Sequence, residues 1–194
     1  MANSTPPVTR DRIIDEATRL FVTRGYHAMS MREIAEAVGV TKAALYYHFS
    51  DKEALFMAVL AAGLNRLEVI VRDARLVGGT TRVQVERIVR GIFAQSPDER
   101  AVVRLARQEM ATLSAVSLAQ FGDLYRDKFI GQMEAILTEG VAQGELRPLG
   151  THQAVWLLLG MISPFLDTSP TSGAHTTDAT VELVVTVFFD GMRA

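Results

Sequence analysis

"SMREIAEAVGVTKAALYYHFSDKEALF", residues 30–56, decides the fold. Ser30 is followed three residues later by Glu33, the pattern of a capping box at a helix start. Ile34, Ala35 and Val38 then fall on one helical face, and Gly39 suits the left-handed position that ends a helix. Thr41 is placed to cap a second, short helix. Two capped helices separated only by Gly39 and Val40 give the tight turn of a helix-turn-helix. Ser50 with Glu53 reads as another capping box and opens a long helix at about Asp51.

The short helix predicts its own orientation. Leu45 and Phe49 are apolar and four apart, so they mark the inward face. Relative to Leu45, Tyr46 falls at about 100°, Ala43 at about 160°, Tyr47 at about 200° and Ala44 at about 260°. The outward arc is therefore two alanines followed by two tyrosines, with His48 and Lys42 on the flanks. Such a face suits a duplex. Small residues let a helix approach base edges, and an alanine methyl can touch a thymine methyl. Phenol hydroxyls and Lys42 can reach phosphate oxygens. Lys52, at the start of the next helix, and Thr41 and Arg32, near the starts of theirs, also face a backbone path. Spacing alone leaves another reading open: an ordinary three-helix knot whose tyrosines pack at its edge.

Working outward, 194 residues suffice for one large domain or two small ones, and 48% hydrophobic content allows a substantial core. The net charge of −2 is not that of a wholly basic DNA-binding chain. Residues 1–56 hold seven basic and seven acidic side chains, so a nucleic-acid footprint has to be a small surface. There is no cysteine, which excludes disulfides and thiolate metal sites. The start, "MANSTPPVTR", is polar and no window approaches about 18 uninterrupted apolar residues, so a cytoplasmic protein without a membrane span is expected.

The rest reads as helix after helix, with no strand alternation. Residues 1–8 are expected to be a disordered tail. Ile13, Ile14, Ala17, Leu20 and Phe21 form the stripe of a helix from Thr9 to Arg24, stopped by Gly25. A fourth helix is expected to about Leu76, and further helices at about 81–95, 98–113, 117–143, 151–166 and 178–192. Ser96-Pro97, Ser114, Gly144–Gly150 and "DTSPTSGAHTTD" separate them.

"TRDRIIDEATRLFVTRGYHAMSMREIAEAVGVTKAALYYHFSDKEALF" resembles the DNA-binding region of the TetR family of bacterial regulators. The combined pattern of "LFVTRGYHAMSMREIAEAVGV", "LYYHF" and "DKEALF" carries the likeness. It implies an all-α homodimer: a helix-turn-helix DNA-binding domain, here 9–56, and a larger helical ligand-binding and dimerisation domain, here 57–194. Arg32, Thr41, Lys42, Ala43, Ala44, Tyr46, Tyr47, His48 and Lys52 resemble the family's DNA-contacting positions. The departure is at 43–44, where glycine then threonine is more usual; Ala44 lacks the hydroxyl found there. "GELRP" before an apolar helix is similar to the link ahead of the family's dimer helices.

In the larger region, Phe93, Met110, Phe121, Tyr125, Trp156 and Phe165 supply adaptable apolar surface for an effector, with Arg104, Gln108 and Tyr125 as polar contacts. Phe121, Tyr125 and Phe129 are four apart on one face, a stripe that is equally plain core. Arg107 and Glu109 read more simply as a solvated face or an internal ion pair. "AVWLLLGMI", 154–162, is apolar all round and must be buried on two sides. With the stripe Val181, Val185, Phe188 and Met192, it predicts a two-fold dimer through about 151–166 and 178–192.

An enzyme is not expected. There is no phosphate loop, nucleophile elbow or His-Glu-x-x-His, and His27, His48, His152 and His175 are scattered, so neither metal nor cofactor is expected. The leading expectation is a ligand-responsive repressor bound to a palindromic operator and released by a small apolar or aromatic molecule. Its rival is a helical carrier or enzyme that keeps only the shape of the N-terminal domain.

Overall fold

A computed structural model describes residues 9–148, 150–166 and 177–191. The expected tail at 1–8, most of the loop after α9 and Met192 lie outside these residues. Ten α-helices are described: α1 Arg10–Arg24, α2 Met31–Val38, α3 Lys42–His48, α4 Lys52–Val77, α5 Thr81–Ala94, α6 Pro97–Glu109, α7 Ala115–Tyr125, α8 Gly131–Ala142, α9 Thr151–Leu166 and α10 Thr177–Asp190. There is no strand among them. The chain forms two compact units. The first takes in residues up to Gly63 together with Ala101–Phe121; the second takes in Leu64–Arg100 and the chain from Gly122 onward.

The first unit is built as its punctuation dictates. Thr9 caps α1 by accepting from the Arg12 amide at 3.4 Å, and Gly25 ends it with φ of 88°. The capping box of α2 is complete. The Ser30 amide donates to Glu33 Oε2 at 2.8 Å, and the Glu33 amide donates to Ser30 Oγ at 3.3 Å. Such a cap contributes about 1 kcal/mol. Gly39 turns the chain with φ 78° and ψ 34°, a left-handed conformation that a β-carbon opposes. Ile13, Phe21, Ile34, Leu45, Leu55 and Phe56 are fully enclosed. Tyr26 closes this core, its ring 4.7 Å from Phe56 and 5.5 Å from Phe21.

The start of α4 differs from expectation. Asp51, not Ser50, caps it: the Ala54 amide donates to Asp51 Oδ1 at 2.7 Å. Glu53 is drawn elsewhere, accepting from the Ser114 amide at 3.1 Å and from Ser114 Oγ at 2.5 Å. A tertiary donor pair has outcompeted the local box. By length and composition α4 could cross a membrane. Its Leu55, Phe56, Val59, Leu60, Leu64, Val71 and Ala74 are instead buried within the protein.

In the second unit, α5, α8, α9 and α10 share one core of Val85, Ile88, Met133, Leu137, Val155, Leu158, Val181 and Val185. Gly140 on α8 lies so close to α5 that a β-carbon there would sit 2.3 Å from Thr81 Oγ1. The helix expected over 117–143 is not uniform. One π-helical turn, Arg126–Ile130, joins α7 to α8 and places the adjacent Phe129 and Ile130 both inside the core. The helix expected over 98–113 ends at Glu109 in a 3₁₀ turn, Met110–Thr112. It opens with a capping box, Ser96 with Glu99, that the sequence reading passed over.

The stripe expected to pair α10 with a second copy needs correcting. Val181, Val185 and Phe188 are buried in the core of their own subunit, Val185 at 2% exposure. The large apolar side chains that α10 leaves in solvent are Leu183 and Val187, four apart. Core packing and surface pairing both produce apolar stripes at helical spacing, and spacing alone does not say which face turns inward.

Candidate nucleic-acid interface

Leu45 is fully buried and Phe49 nearly so, which fixes the rotation of α3. Of the four residues the wheel placed outward, Ala43, Tyr46 and Tyr47 are exposed and Ala44 is only half so. Tyr47 is 87% exposed and Tyr46 42%, Lys42 and Ala43 are exposed, and Ala44 and His48 are half-buried on the flanks. Thr41 caps the helix by accepting from the Ala44 amide at 3.1 Å. Lys42 Nζ lies 5.6 Å from the centre of the Tyr46 ring, a cation–π contact that holds both side chains along one wall. The Tyr47 ring meets His48 edge-on at 5.3 Å. A short helix thus presents a compact ridge of small and amphipathic side chains on a rigid, apolar base.

Two of the expected DNA contacts have partners inside the unit. Arg32 pairs with Glu36 one turn along α2, at 2.9 Å and in solvent, a pairing worth little and easily exchanged for phosphate. Lys52 is more committed. Its Nζ donates to the carbonyls of Tyr26 and Met29, both at 3.1 Å, and lies 4.3 Å from the centre of the Tyr26 ring. One N–H remains beyond the two carbonyl bonds, so its observed work is to tie the α1–α2 turn to the start of α4. No local pattern announces this role, since the partners are backbone oxygens more than twenty residues away.

The electrostatics of the unit are those of a hydrogen-bonded frame. The bonds from Ser30 hold the Glu33 carboxyl below its ordinary pKa, and those from Ser114 do the same for Glu53. Burial, reinforced by Glu53, Asp51 and Glu109, pushes the Tyr26 phenol up, so it stays neutral. Glu109 lies beside His27, whose Nε2 is 2.9 Å from its Oε2.

The eight residues expected around an effector divide between the units. Arg104 and Gln108 are exposed, Met110 half-buried and Phe121 buried in the first. Phe93 is part of the core of the second, where the Tyr125 ring stacks on Phe129 at 6.0 Å and meets Trp156 edge-on at 6.1 Å. Phe165 is exposed. Trp156 is itself half in solvent, and its Nε1 donates to His152 Nε2 at 3.2 Å. His152 Nδ1 in turn lies 2.6 Å from Glu134 Oε1. The four-residue spacing of His152 and Trp156 was the available signal for this chain of contacts. Among the described residues no three His, Asp or Glu side chains gather as metal ligands.

Residues 13–59 match the family model described as bacterial regulatory proteins, tetR family. Over 193 residues, 95% of this chain and 91% of the relative, the protein is 24% identical to the HTH-type transcriptional repressor KstR2 of Rhodococcus jostii. Among solved structures it superposes on the TetR family transcriptional regulator PfmR of Thermus thermophilus with a TM-score of 0.77. Identity there is 26%, over 92% of this chain and 97% of that one. It also superposes on AibR in complex with isovaleryl coenzyme A and operator DNA, with a TM-score of 0.76, 26% identity and the same coverage.

Proposed function

We propose that this chain, whose residues 13–59 match the model of the tetR family of bacterial regulatory proteins, is a cytoplasmic transcriptional repressor, binding a palindromic operator as a homodimer and released by a small, mainly apolar effector. The observation that carries the reading is the outward face of α3, where Lys42, Ala43, Tyr46 and Tyr47 stand on the buried Leu45. Residues 9–56 read DNA, with Arg32, Thr41, Ala44, His48 and the remaining N–H of Lys52 flanking that face. Residues 57–194 bind the effector and pair the subunits.

Pairing is supported by unspent apolar surface. Leu157 on α9 and Leu183 and Val187 on α10 are exposed, within the spans 151–166 and 178–192. Gly160 is exposed on α9, with no heavy atom within 4 Å of where a β-carbon would stand, so another helix can approach closely. Two-fold pairing gives two short reading helices a combined site. For the effector, AibR in complex with isovaleryl coenzyme A is a chemical precedent, and Phe93, Tyr125, Trp156 and Phe165 of the second unit offer apolar surface. Tyr125 supplies a polar contact there.

Enrichment of a randomised duplex library on the immobilised protein tests the reading. A palindromic sequence is expected, bound with an affinity that falls as salt rises. Titrating acyl coenzyme A thioesters and apolar ligands should then identify one that changes Trp156 fluorescence and weakens operator binding by about 1–3 kcal/mol, with the reciprocal effect of DNA on the ligand. Binding that shows no sequence preference would favour a carrier or enzyme instead.

A further inference from the structure

Building on the reading of α3 as the DNA-reading helix, we infer that Ala43 is a specificity-determining residue, its methyl recognising the 5-methyl group of one thymine in each operator half-site. The major groove is read by a small code: paired donors and acceptors on Asn or Gln for adenine, Arg or Lys for guanine, Asp or Glu for cytosine, and apolar contact for thymine. From Lys42 to His48 there is no Asn, Gln, Asp, Glu or Arg. Of the side chains that are present, Leu45 belongs to the core and His48 is half-buried between Tyr47 and Phe49. Tyr46 lies against the Lys42 ammonium.

The outermost ridge is then Ala43 and Tyr47, four apart and therefore neighbours on the helix surface. They differ in reach. The phenol of Tyr47 projects far enough to meet a phosphate oxygen. A methyl has no polar partner to seek, and contact with a thymine methyl is the base-specific interaction open to it. Ala44 carries the same methyl but is half-buried, whereas Ala43 is exposed at the first turn, where a recognition helix meets base edges.

The test begins with the wild-type protein and the duplex it enriches from a randomised library. Each thymine of the half-site is replaced in turn by uracil, which removes the methyl and keeps the base pair. One position is expected to weaken binding about fourfold, the factor that follows from burying a single methyl group, and about fifteenfold when both half-sites are changed. In Ala43→Gly that replacement should have no further effect, while Ala44→Gly should retain the wild-type sensitivity; melting temperatures establish that both variants are folded. Ala43→Ser, a milder change, should enrich half-sites that lack this thymine. No uracil-sensitive thymine, sensitivity that survives Ala43→Gly, or enrichment of the same thymine by Ala43→Ser overturns the inference while leaving α3 as the reading helix. Failure to enrich any sequence refutes the DNA-reading function itself.

Discussion

α3 and α10 both hold apolar side chains out to solvent, but of opposite kinds. On α3 they are Tyr46 and Tyr47, rings that end in a hydroxyl. On α10 they are Leu183 and Val187, aliphatic groups with nothing polar to offer, at 59% and 55% exposure. A tyrosine is at ease in water and gains when a phosphate oxygen replaces it. An aliphatic stripe gains only when water leaves altogether. The first surface is complete as it stands and awaits a polar, charged partner. The second is finished only by another apolar face.

The sharpest break comes from crossing from one face of α10 to the other. Val185→Asp places a charge in the core of the second unit and should cost roughly 4 kcal/mol or more. Urea titration followed by circular dichroism should show the loss. Leu183→Asp, two residues away, should keep the helical signal and weaken self-association by roughly 2 kcal/mol, read as monomers by sedimentation. If Val185→Asp folded normally and Leu183→Asp did not, the faces of α10 would be assigned the wrong way round. On α3 the contrast is similar. Leu45→Ala should destabilise the first unit by about 2–4 kcal/mol through a cavity. Tyr47→Ala should leave melting unchanged and cost about 1–2 kcal/mol of operator affinity, measured by fluorescence anisotropy. Equal melting losses for the two variants would show that Tyr47 packs and does not read.

The smallest effect concerns acid. Hydrogen bonds from Ser114 keep the Glu53 carboxyl below the ordinary carboxylate range. A depressed carboxylate stabilises the fold above its unfolded pKa, and that contribution fades as pH falls through the folded value. Glu53→Gln should therefore melt at a temperature that changes less steeply below about pH 5 than the wild type does. Parallel melting curves down to about pH 3 would show that the Ser114 bonds carry no such linkage.

How legible all this was depended on the range of the forces involved. The Ser30–Glu33 box, the left-handed Gly39 and the rotation of α3 rest on residues within four positions of one another, and the sequence alone specifies them. The start of α4 did not follow its local pattern, because Ser114, sixty-one residues away, takes Glu53. The bonds of Lys52 to the Tyr26 and Met29 carbonyls, more than twenty residues away, left no sign in the local sequence. The face of α10 was misjudged because valines and phenylalanines have the same spacing whether they meet their own core or a partner. The π turn at Arg126–Ile130 left no mark at all in the apolar periodicity, since its extra residue simply adds Ile130 beside Phe129 in the core.

The approach of α8 to α5 has a consequence for lineage. Thr81 and Gly140 occupy one shared volume, with 2.3 Å between the threonine oxygen and the place a β-carbon would take. Descendants of this protein are therefore not free to vary the two sites separately. Alanine at 140 becomes acceptable only in a chain that has already lost bulk at 81, so the order in which the substitutions arise is constrained as well as their identity. Across a set of close homologues, positions 81 and 140 should behave as a single inherited character.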